Sequence, residues 1–317
     1  MSEATPTLVE RAHLSDSEVR EIKELIDLIT QADGLAPLSE HVLIHLHHGG
    51  DEQSIHILAK DDDELIGYLH LDRTDKVAGA VIEVAVAPQH RGHHVATALV
   101  HHALSLVPDM DCRLWAHGEN AASHQLAVSL GFHQSRVLWQ MRRSLLAPLP
   151  KSDTIAANDT LSGLSVRSFS PENDSEAWLA LNNSVFQQHP EQGDWTLRDL
   201  QVRMSEQWFD PKGFFVAFDA ENQMVGYTWT KIHGGLHHRN HEHPEIGEIY
   251  VLGVHSDFRG NGLAQALTIR ALEYLRAHQL TAAMLYVDAE NQRAIELYQN
   301  LGFSQWDADV MFKRLRA

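Results

Sequence analysis

The feature that most constrains the fold is a strand, a glycine-rich turn and a helix that follow one another within residues 248–275. Residues 248–254 are rich in β-branched and aromatic side chains, a composition typical of a strand. The turn reads Arg259-Gly-Asn-Gly-Leu-Ala264, and its glycines let the backbone approach a ligand closely. Since a helix N-terminus attracts anions, we predict a pyrophosphate site here. Apolar spacing predicts the buried helix face as Leu263, Ala266, Leu267, Arg270, Ala271, Tyr274 and Leu275.

The same order of elements occurs twice in the chain. A strand at residues 81–86 precedes a second turn, and one constant shift aligns Arg91 with Arg259 and Ala96 with Ala264. Later in each half, a Leu-Gly-Phe sequence closes a helix and leads into a last strand. A repeat of such long period predicts two similar domains in tandem.

The domain boundaries follow from this repeat. A chain of 317 residues is long enough for two domains of ordinary size. Pro148 and Pro150 stand in a polar segment between the copies, which is typical of a linker. We predict an N-terminal domain at residues 1–146, a linker at 147–162 and a C-terminal domain at 163–317.

Local patterns predict the main elements of both halves. Ser15 followed by Glu18 has the form of a capping box and predicts the start of the first helix. In the second half, residues 177–186 predict a helix, and residues 233–243 predict a polar loop rich in histidine. Alternating or β-branched runs predict strands near residues 55–59, 65–71, 81–86, 114, 164–169, 213–218, 224–231 and 283–288, with one more ending at Met141.

Charge and cysteine content limit the partners and the compartment. The formal net charge of −18 argues against a nucleic acid or an anionic membrane as partner. The single cysteine, Cys112, cannot form an internal disulfide, which fits a reducing compartment such as the cytoplasm. The first residues have no signal-peptide pattern, and no window approaches the apolar length of a membrane span.

The motifs after the second turn complete a specific order. Asn291-x-x-Ala294 and then Leu297-Tyr-x-x-x-Gly-Phe303 follow the Arg-x-x-Gly-x-Ala turn. This order resembles the acetyl-CoA-dependent N-acetyltransferase superfamily called GNAT. The resemblance implies an α/β (α+β) fold with two tandem GNAT domains, each a mixed, mostly antiparallel sheet flanked by helices. It also implies acetyl-CoA as co-substrate, with its pyrophosphate at the turn.

The resemblance further implies which residues contact acetyl-CoA. In the second copy these are Leu252, Gly253, Val254, Arg259, Gly260, Asn261, Gly262, Leu263, Ala264, Gln265, Asn291, Gln292, Arg293, Ala294, Ile295 and Glu296. In the first copy the corresponding positions are Val84, Ala85, Val86, Arg91, Gly92, His93, His94, Val95 and Ala96. His94 stands where the second copy has Gly262, and its Cβ would hinder a phosphate. Whether the first domain binds acyl-CoA therefore stays open.

Acetyl transfer to an amine needs a base, an acid and donors for the oxyanion. Glu248 is the candidate base, Tyr298 the candidate acid, and the backbone at residues 252–254 supplies N–H donors. The alternative readings are a solvent-facing strand residue for Glu248 and a half-buried helix aromatic for Tyr298. Counting back along the first copy gives Ala80 and Ala127 at these positions. We predict that the C-terminal domain is catalytic and the N-terminal domain is not.

Nearly the whole chain resembles one tandem branch of this family. The residues that carry this include 189–193, 208–211 and 229–231. The resemblance implies transfer of acetyl to the cysteinyl amine of cysteinyl-glucosaminyl-inositol, a small-molecule substrate. It implies substrate contacts from Glu40, Glu191, Lys231, Glu248 and Tyr286.

Other readings remain at this stage. The acceptor could be another small amine or a peptide N-terminus, or the chain could be a non-catalytic acyl-CoA-binding module. We expect a monomer. The chemistry requires no metal, so we expect none, and we interpret a histidine cluster in the polar loop as solvated: His237, His238, His241 and His243.

Overall fold

The structure is a computed structural model that divides the chain into two compact units. Unit 1 contains residues 1–139 and 307–317, and unit 2 contains residues 140–306. Glu191 and most of the predicted linker and histidine-rich loop lie outside the described residues. The residues that the structure describes are 6–49, 53–75, 78–118, 120–149, 161, 163–187, 195–233 and 245–316.

Unit 1 is a mixed sheet flanked by helices. Its strands lie in the order β1-β2-β3-β4-β5-β12, and only the β4–β5 pair is parallel among the pairings described in this unit. The elements are β1 (Thr7–Arg11), α1 (Asp16–Asp33), α2 (Glu40–His48), β2 (Ser54–Asp61), β3 (Glu64–Asp72), β4 (Ala80–Val86), α3 (Val95–Leu106), β5 (Cys112–Ala116), α4 (Ala121–Ser129), the first part of β6 (His133–Ser144) and the last part of β12 (Ser304–Arg314).

Unit 2 repeats this architecture. Its strands lie in the order β7-β8-β9-β10-β11-β6, with β10 and β11 parallel. The elements are β7 (Ser165–Ser168), α5 (Pro171–Val185), α6 (Leu197–Ser205), β8 (Phe214–Phe218), β9 (Met224–His233), β10 (Ile246–Val254), α7 (Leu263–Ala277), β11 (Ala282–Asp288) and α8 (Gln292–Asn300), with the last part of β6. The predicted fold of two mixed, mostly antiparallel sheets with helices is confirmed.

The last strand of each sequence copy continues into the unit that the other copy begins. Residues 310–314 of β12 pair with β5 in antiparallel register, so that Val310 lies opposite Ala116. Phe312 is 1% exposed and lies in the core of unit 1. In unit 2, the Leu145 N–H donates to the Thr281 carbonyl at 2.9 Å. The compact units thus differ from the predicted contiguous ranges, because sequence order does not specify the partner of a terminal strand.

Local signals explain where the first helix begins and ends. The Ser15 N–H donates to Glu18 Oε2 at 2.8 Å, and the Glu18 N–H donates to Ser15 Oγ at 3.3 Å. This is the predicted capping box. Gly34 ends α1 in the left-handed region with φ of 74°. The apolar face that this helix buries consists of Ile22, Leu25, Ile26 and Ile29.

Stacked aromatic rings form the centre of unit 2. Phe214 and Trp229 stack with ring centroids 4.6 Å apart, and Trp178 of α5 meets both rings edge-on. All three side chains are 0% exposed. Rings of this size contribute large buried apolar areas, so they anchor α5 on β8 and β9.

Some features were not foreseen from the sequence. β1, α2 and α6 were not predicted, because short helices and edge strands have weak periodic patterns. Arg270, which the spacing places on the same face of α7 as the apolar residues, is exposed, and its guanidinium lies 5.2 Å from the Phe215 ring centroid. No helix in the described part of the chain has both the length and the apolar character needed to cross a membrane.

The placement of β12 predicts where a core substitution acts. Phe312→Ala should lower the free energy of unfolding by about 3–5 kcal/mol, because it removes a fully buried ring. Hydrogen exchange followed by mass spectrometry should show lost protection in β5 and α4 of unit 1.

The matched control is Trp306→Ala. The Trp306 side chain is 64% exposed, so its removal should change the free energy of unfolding little. Lost protection confined to β11 and α8 would contradict the assignment of β12 to unit 1.

Candidate active site

The glycine turn of unit 2 has the geometry that the sequence predicted. Gly260 and Gly262 both have φ of 88°, a conformation that favours glycine, and Gly262 caps α7. The Arg259 Nε donates to the Val254 carbonyl at 3.3 Å, which fixes the turn to the end of β10. The first N–H groups of α7 have no acceptor within the helix, so the turn offers donors to an anion.

The second predicted segment lies beside this turn. A Cβ built on Gly260 would be 3.1 Å from Arg293 Nη2, so the start of α8 approaches the turn closely. The Asn291 side chain caps α8 by accepting from the Ala294 N–H at 3.2 Å. The structure therefore places the Arg293 guanidinium of α8 next to Gly260 of the turn. This arrangement fits a pyrophosphate.

The two parallel strands of unit 2 part before the turn. In residues 245–316, which the structure describes without a break, β10 pairs with β11 only over Gly247–Ile249. On its other side, β10 stays paired with β9 as far as Val254. The backbone of residues 252–254 is therefore open on the side of β11. Peptide groups in such a gap can bind a ligand, and the donor role of residues 252–254 stays a prediction.

Glu248 lies in β10 next to two basic side chains. It is 7% exposed, its Oε2 lies 2.5 Å from His233 Nε2, and its cross-strand partner is Lys231. Burial alone would raise the pKa of Glu248, but the hydrogen bond from His233 and the charges of His233 and Lys231 outweigh it and lower the pKa. The carboxylate is therefore ionised at neutral pH and can accept a proton.

His233 is a site residue that the sequence reading missed, because it was assigned to the histidine-rich loop. It is the last residue of β9 and lies opposite Ile246. The available signal was the spacing of Lys231 and His233, since residues two apart on a strand share one face. Both basic side chains therefore point to the face that carries Glu248.

Aromatic rings hold the Lys231 ammonium. Its Nζ lies 4.6 Å from the Trp208 ring centroid and 5.5 Å from the Tyr250 ring centroid. Tyr250 lies at a β-bulge, because the pairing register with β9 shifts between Ile249 and Val251. Bulges redirect side chains and are frequent next to active sites.

Tyr298 lies on α8 and is 7% exposed. Its ring packs on Phe303 with centroids 5.8 Å apart. Burial raises the pKa of Tyr298, so the hydroxyl stays protonated and can donate a proton.

The remaining predicted substrate contacts are distributed over the chain. Tyr286 is 39% exposed in β11, and its hydroxyl accepts from Gln140 Nε2 at 2.8 Å. Glu40 is the first residue of α2 in unit 1. Lys231 and Glu248 are the two members of the set that the described structure brings side by side.

The first copy keeps the backbone of the turn despite its altered sequence. Arg91 Nε donates to the Val86 carbonyl at 3.3 Å, as Arg259 does in unit 2. His94 caps α3 in the left-handed region with φ of 60°, a conformation that costs a non-glycine residue roughly 1–2 kcal/mol. The Arg91 guanidinium makes a bidentate pair with Asp33 at 2.9 and 2.7 Å.

The sheet register corrects one alignment between the copies. Counting residues matched Glu248 with Ala80, but the bulge at Tyr250 adds one residue to β10. In the pairing pattern, Val81 lies opposite Asp72 as Glu248 lies opposite Lys231. Unit 1 therefore has an apolar residue where unit 2 has Glu248.

The match of Tyr298 with Ala127 needs no such correction. The Phe303 N–H donates to the Tyr298 carbonyl at 3.0 Å, and the Phe132 N–H donates to the Ala127 carbonyl at 2.9 Å. Ala127 is 0% exposed and has no group that could donate a proton. Unit 1 thus lacks counterparts of both candidate catalytic side chains.

A buried ionic network occupies the middle of unit 1 instead. His117 lies 3.0 Å from both Glu83 Oε2 and Asp309 Oδ2, and Glu83 also accepts from the Ser39 N–H and hydroxyl at 2.6 Å. Burial alone would lower the pKa of His117, but the hydrogen bonds and charges of the two carboxylates raise it to about 10. Burial alone would raise the pKa of Glu83, but the hydrogen bond and charge of His117 and the hydrogen bonds from Ser39 lower it to about 2.

The turn, the parted strands and the paired carboxylate together define an acetyltransferase of the GNAT class. The sequence matches the acetyltransferase (GNAT) family over residues 20–132 and 176–303, and the chain belongs to this family. A solved tandem GNAT protein from the clavulanic acid biosynthesis pathway is similar with a TM-score of 0.72 and 17% identity, covering 98% of this chain and 99% of that one. This likeness supports the two-domain fold.

Relatives of higher sequence identity show to which group of GNAT proteins the chain belongs. The chain is 48% identical to the mycothiol acetyltransferase of Acidothermus cellulolyticus, over 92% of this chain and 89% of the relative. It is 40% identical to the mycothiol acetyltransferase of Streptosporangium roseum, over 96% and 98%. Within the GNAT proteins, the chain belongs to the family of the mycothiol acetyltransferases. The predicted enzyme class is confirmed, and the family implies acetyl-CoA as co-substrate.

The network around His117 predicts how stability depends on pH. Because the pKa of His117 is raised in the folded state, its contribution is complete below the ordinary value and is lost as pH rises towards 10. His117→Gln should lower the free energy of unfolding by about 3–5 kcal/mol at pH 7, since it leaves two buried carboxylates without their cation. In urea titrations the difference from wild type should shrink between pH 7 and pH 10.

The matched control is His102→Gln, which removes a surface pair with Glu10 at 2.7 Å and should cost under about 1 kcal/mol. A His117→Gln deficit of the same size at both pH values would contradict the raised pKa.

Proposed function

We propose that the chain transfers acetyl from acetyl-CoA to the cysteinyl amine of cysteinyl-glucosaminyl-inositol and so produces mycothiol and CoA. The observation that carries this proposal is the 48% identity to a mycothiol acetyltransferase over nearly the full length of both chains. This similarity covers most of both chains, which supports the same acceptor for this chain.

We propose that acetyl-CoA binds in unit 2, with its pyrophosphate at the glycine turn. The N–H groups at the start of α7, the helix dipole and the Arg293 guanidinium all favour a pyrophosphate there. Acetyl-CoA supplies a thioester whose carbonyl can be attacked by an amine. The gap between β10 and β11 supports a position for this carbonyl next to the backbone of residues 252–254.

In the proposed mechanism Glu248 accepts the proton that the acceptor ammonium must lose, directly or through a water molecule. The lowered pKa of Glu248 keeps this group ionised, and an α-amine with a pKa of about 7.7–8.0 needs only a modest base. His233 holds the carboxylate by its hydrogen bond. The deprotonated amine then forms the new C–N bond.

The remaining steps involve charge on oxygen and sulfur. Backbone N–H groups at residues 252–254 stabilise the oxyanion that forms as nitrogen adds to the carbonyl. When the C–S bond breaks, Tyr298 donates its proton to the departing thiolate. The raised pKa of Tyr298 supports this role, because the hydroxyl stays protonated until the thiolate leaves. The attacking nitrogen loses its second proton as the amide forms, and this proton restores the tyrosine hydroxyl, directly or through water.

We propose that Lys231, Tyr286, Glu191 and Glu40 contact the acceptor, together with Glu248. The cation–π contacts of Lys231 fix its ammonium beside Glu248, where it can donate to a hydroxyl or carbonyl oxygen. Unit 1 is proposed to be non-catalytic, since Val81 and Ala127 replace the base and the acid. Whether its turn binds acyl-CoA is a separate question, and the retained backbone of that turn leaves the site its shape.

We also propose that the enzyme works as a monomer in the cytoplasm, without a nucleic acid or membrane partner. The net charge of −18 and the single buried Cys112 support this proposal. Light scattering after size exclusion tests the oligomeric state.

The direct test is turnover of acetyl-CoA with cysteinyl-glucosaminyl-inositol by the purified chain. Free CoA thiol and product mass should rise together, with one acetyl group on the amine. Cysteine and a peptide with a free N-terminus serve as alternative acceptors. Faster turnover of either one would reject the proposed acceptor, and bound acetyl-CoA without turnover of any amine would indicate a non-catalytic module.

The assignment of the two catalytic residues predicts separate kinetic effects. Glu248→Gln and Tyr298→Phe should each lower kcat by about 10²–10⁴-fold, the usual contribution of general base or acid catalysis. The KM for acetyl-CoA should change little, because the turn is unaltered. Steady-state kinetics at saturating acceptor measure both values.

Tyr274→Phe is the matched control for the tyrosine variant. Tyr274 is a second tyrosine of unit 2 whose pKa is raised, and its hydroxyl donates to Asp210 at 2.6 Å. Its substitution should leave kcat unchanged. A doubly substituted Glu248→Gln, Tyr298→Phe enzyme with wild-type kcat would refute the mechanism.

A further inference from the structure

Three histidines of unit 1 converge in the described structure. His41 and His45 lie one turn apart on α2, and His70 lies on β3. One ring nitrogen of each lies within 4.8 Å of the others. The ring centroids are 4.1 Å apart for His41 and His45, and 5.4 Å apart for His45 and His70.

His70 points to a ligand at this cluster. It is 1% exposed, and neither of its ring nitrogens has a hydrogen-bond partner within the described structure. A buried polar group without a partner is costly, and native structures retain one where an ion, a water or a function requires it.

A buried carboxylate next to the histidines also indicates that the cluster binds a ligand. Asp72 follows His70 by two residues on β3, is 7% exposed, and has its Oδ2 3.1 Å from His41 Nε2. Histidines that bind metals commonly make a second hydrogen bond to a carboxylate, which fixes the orientation of the ring. The cluster therefore has three imidazoles and one group that orients them.

We propose that His41, His45 and His70 bind one divalent transition-metal ion, with Zn²⁺ the best match to three imidazoles. Zn–N bonds of about 2.0–2.1 Å require nitrogens roughly 3.3 Å apart in a tetrahedral site, so small side-chain rotations would close the cluster. The ion links α2 to β3 and has a structural role, since the acetyl transfer described above uses no metal. The His41-x-x-x-His45 spacing was its signal in the sequence.

The proposal gives α2 a fixed attachment. Ser39 and Glu40 begin this helix, and Ser39 is already bonded to Glu83. With the ion bound at His41 and His45, the helix is held to the sheet of unit 1 at its N-cap and again within its first two turns. This attachment would fix the position of Glu40, the acceptor contact proposed for this unit.

The test uses the full chain without an affinity tag, stripped of metal by a chelator. Co²⁺ titration followed by visible absorption, and Zn²⁺ titration followed by calorimetry, should each give one saturable site. Binding of the ion should raise the thermal unfolding temperature of the chain. No tetrahedral Co²⁺ spectrum and no saturable Zn²⁺ binding would overturn the proposal.

Variants of the cluster locate the ion. His41→Gln is the main variant, because its side chain is 49% exposed and its loss should not disturb the core. The dissociation constant for Zn²⁺ should rise at least about 100-fold, and Asp72→Asn should weaken binding by about 10–100-fold as an outer partner. His47→Gln, on the exposed surface of the same helix, is the matched control and should bind as wild type does.

The histidine-rich segment of the sequence could bind ions by itself. The combined variant His237→Gln, His238→Gln, His241→Gln, His243→Gln separates the two possibilities. It should keep the Co²⁺ spectrum and the thermal shift, whereas His41→Gln should lose both. The reverse pattern would refute the site on α2 and β3. The binding readouts are independent of turnover, so a failure of the proposed acetylation would leave this test unaffected.

Discussion

The pairing of β9 with β10 is the constraint on which the candidate site depends. It places Lys231 and His233 on the face that carries Glu248, so a buried carboxylate keeps its charge in a unit whose core is largely aromatic. The bulge at Tyr250 lies within the same pairing, next to the point where β10 leaves β11. One strand thus carries the base at its start and open peptide groups at its end, and the glycine turn follows directly.

The two units show how a repeated fold can keep a backbone while its chemistry diverges. Each turn follows a strand, and its arginine donates a hydrogen bond to the last carbonyl of that strand. Each turn also ends in an N-cap residue with a positive φ, even where His94 replaces a glycine. The side chains around them differ. Unit 2 has a carboxylate paired with basic groups on the strand that leads to an opening in the sheet. Unit 1 instead buries a closed network around His117.

The features that the sequence predicted were local or carried by a motif. The capping box at Ser15 and the glycine turn at residues 259–264 depend on neighbours in the chain, and both have the expected geometry. The acceptor molecule was predicted only from the resemblance to a family. His233, the bulge at Tyr250 and the histidine cluster around His70 depend on which strands pair and in which register. Periodicity within one segment contains no such information, so these features required the fold.

The placement of β12 has a consequence for synthesis of the chain. A ribosome makes the protein from the N-terminus, yet unit 1 needs Asp309, Val310 and Phe312 to complete its network and its core. The first unit is therefore the last to be finished, because all of unit 2 is translated before residues 307–317. A gene divided at the linker would produce a first fragment without its sixth strand. Such a fragment would expose the edge of β5, where another chain could add.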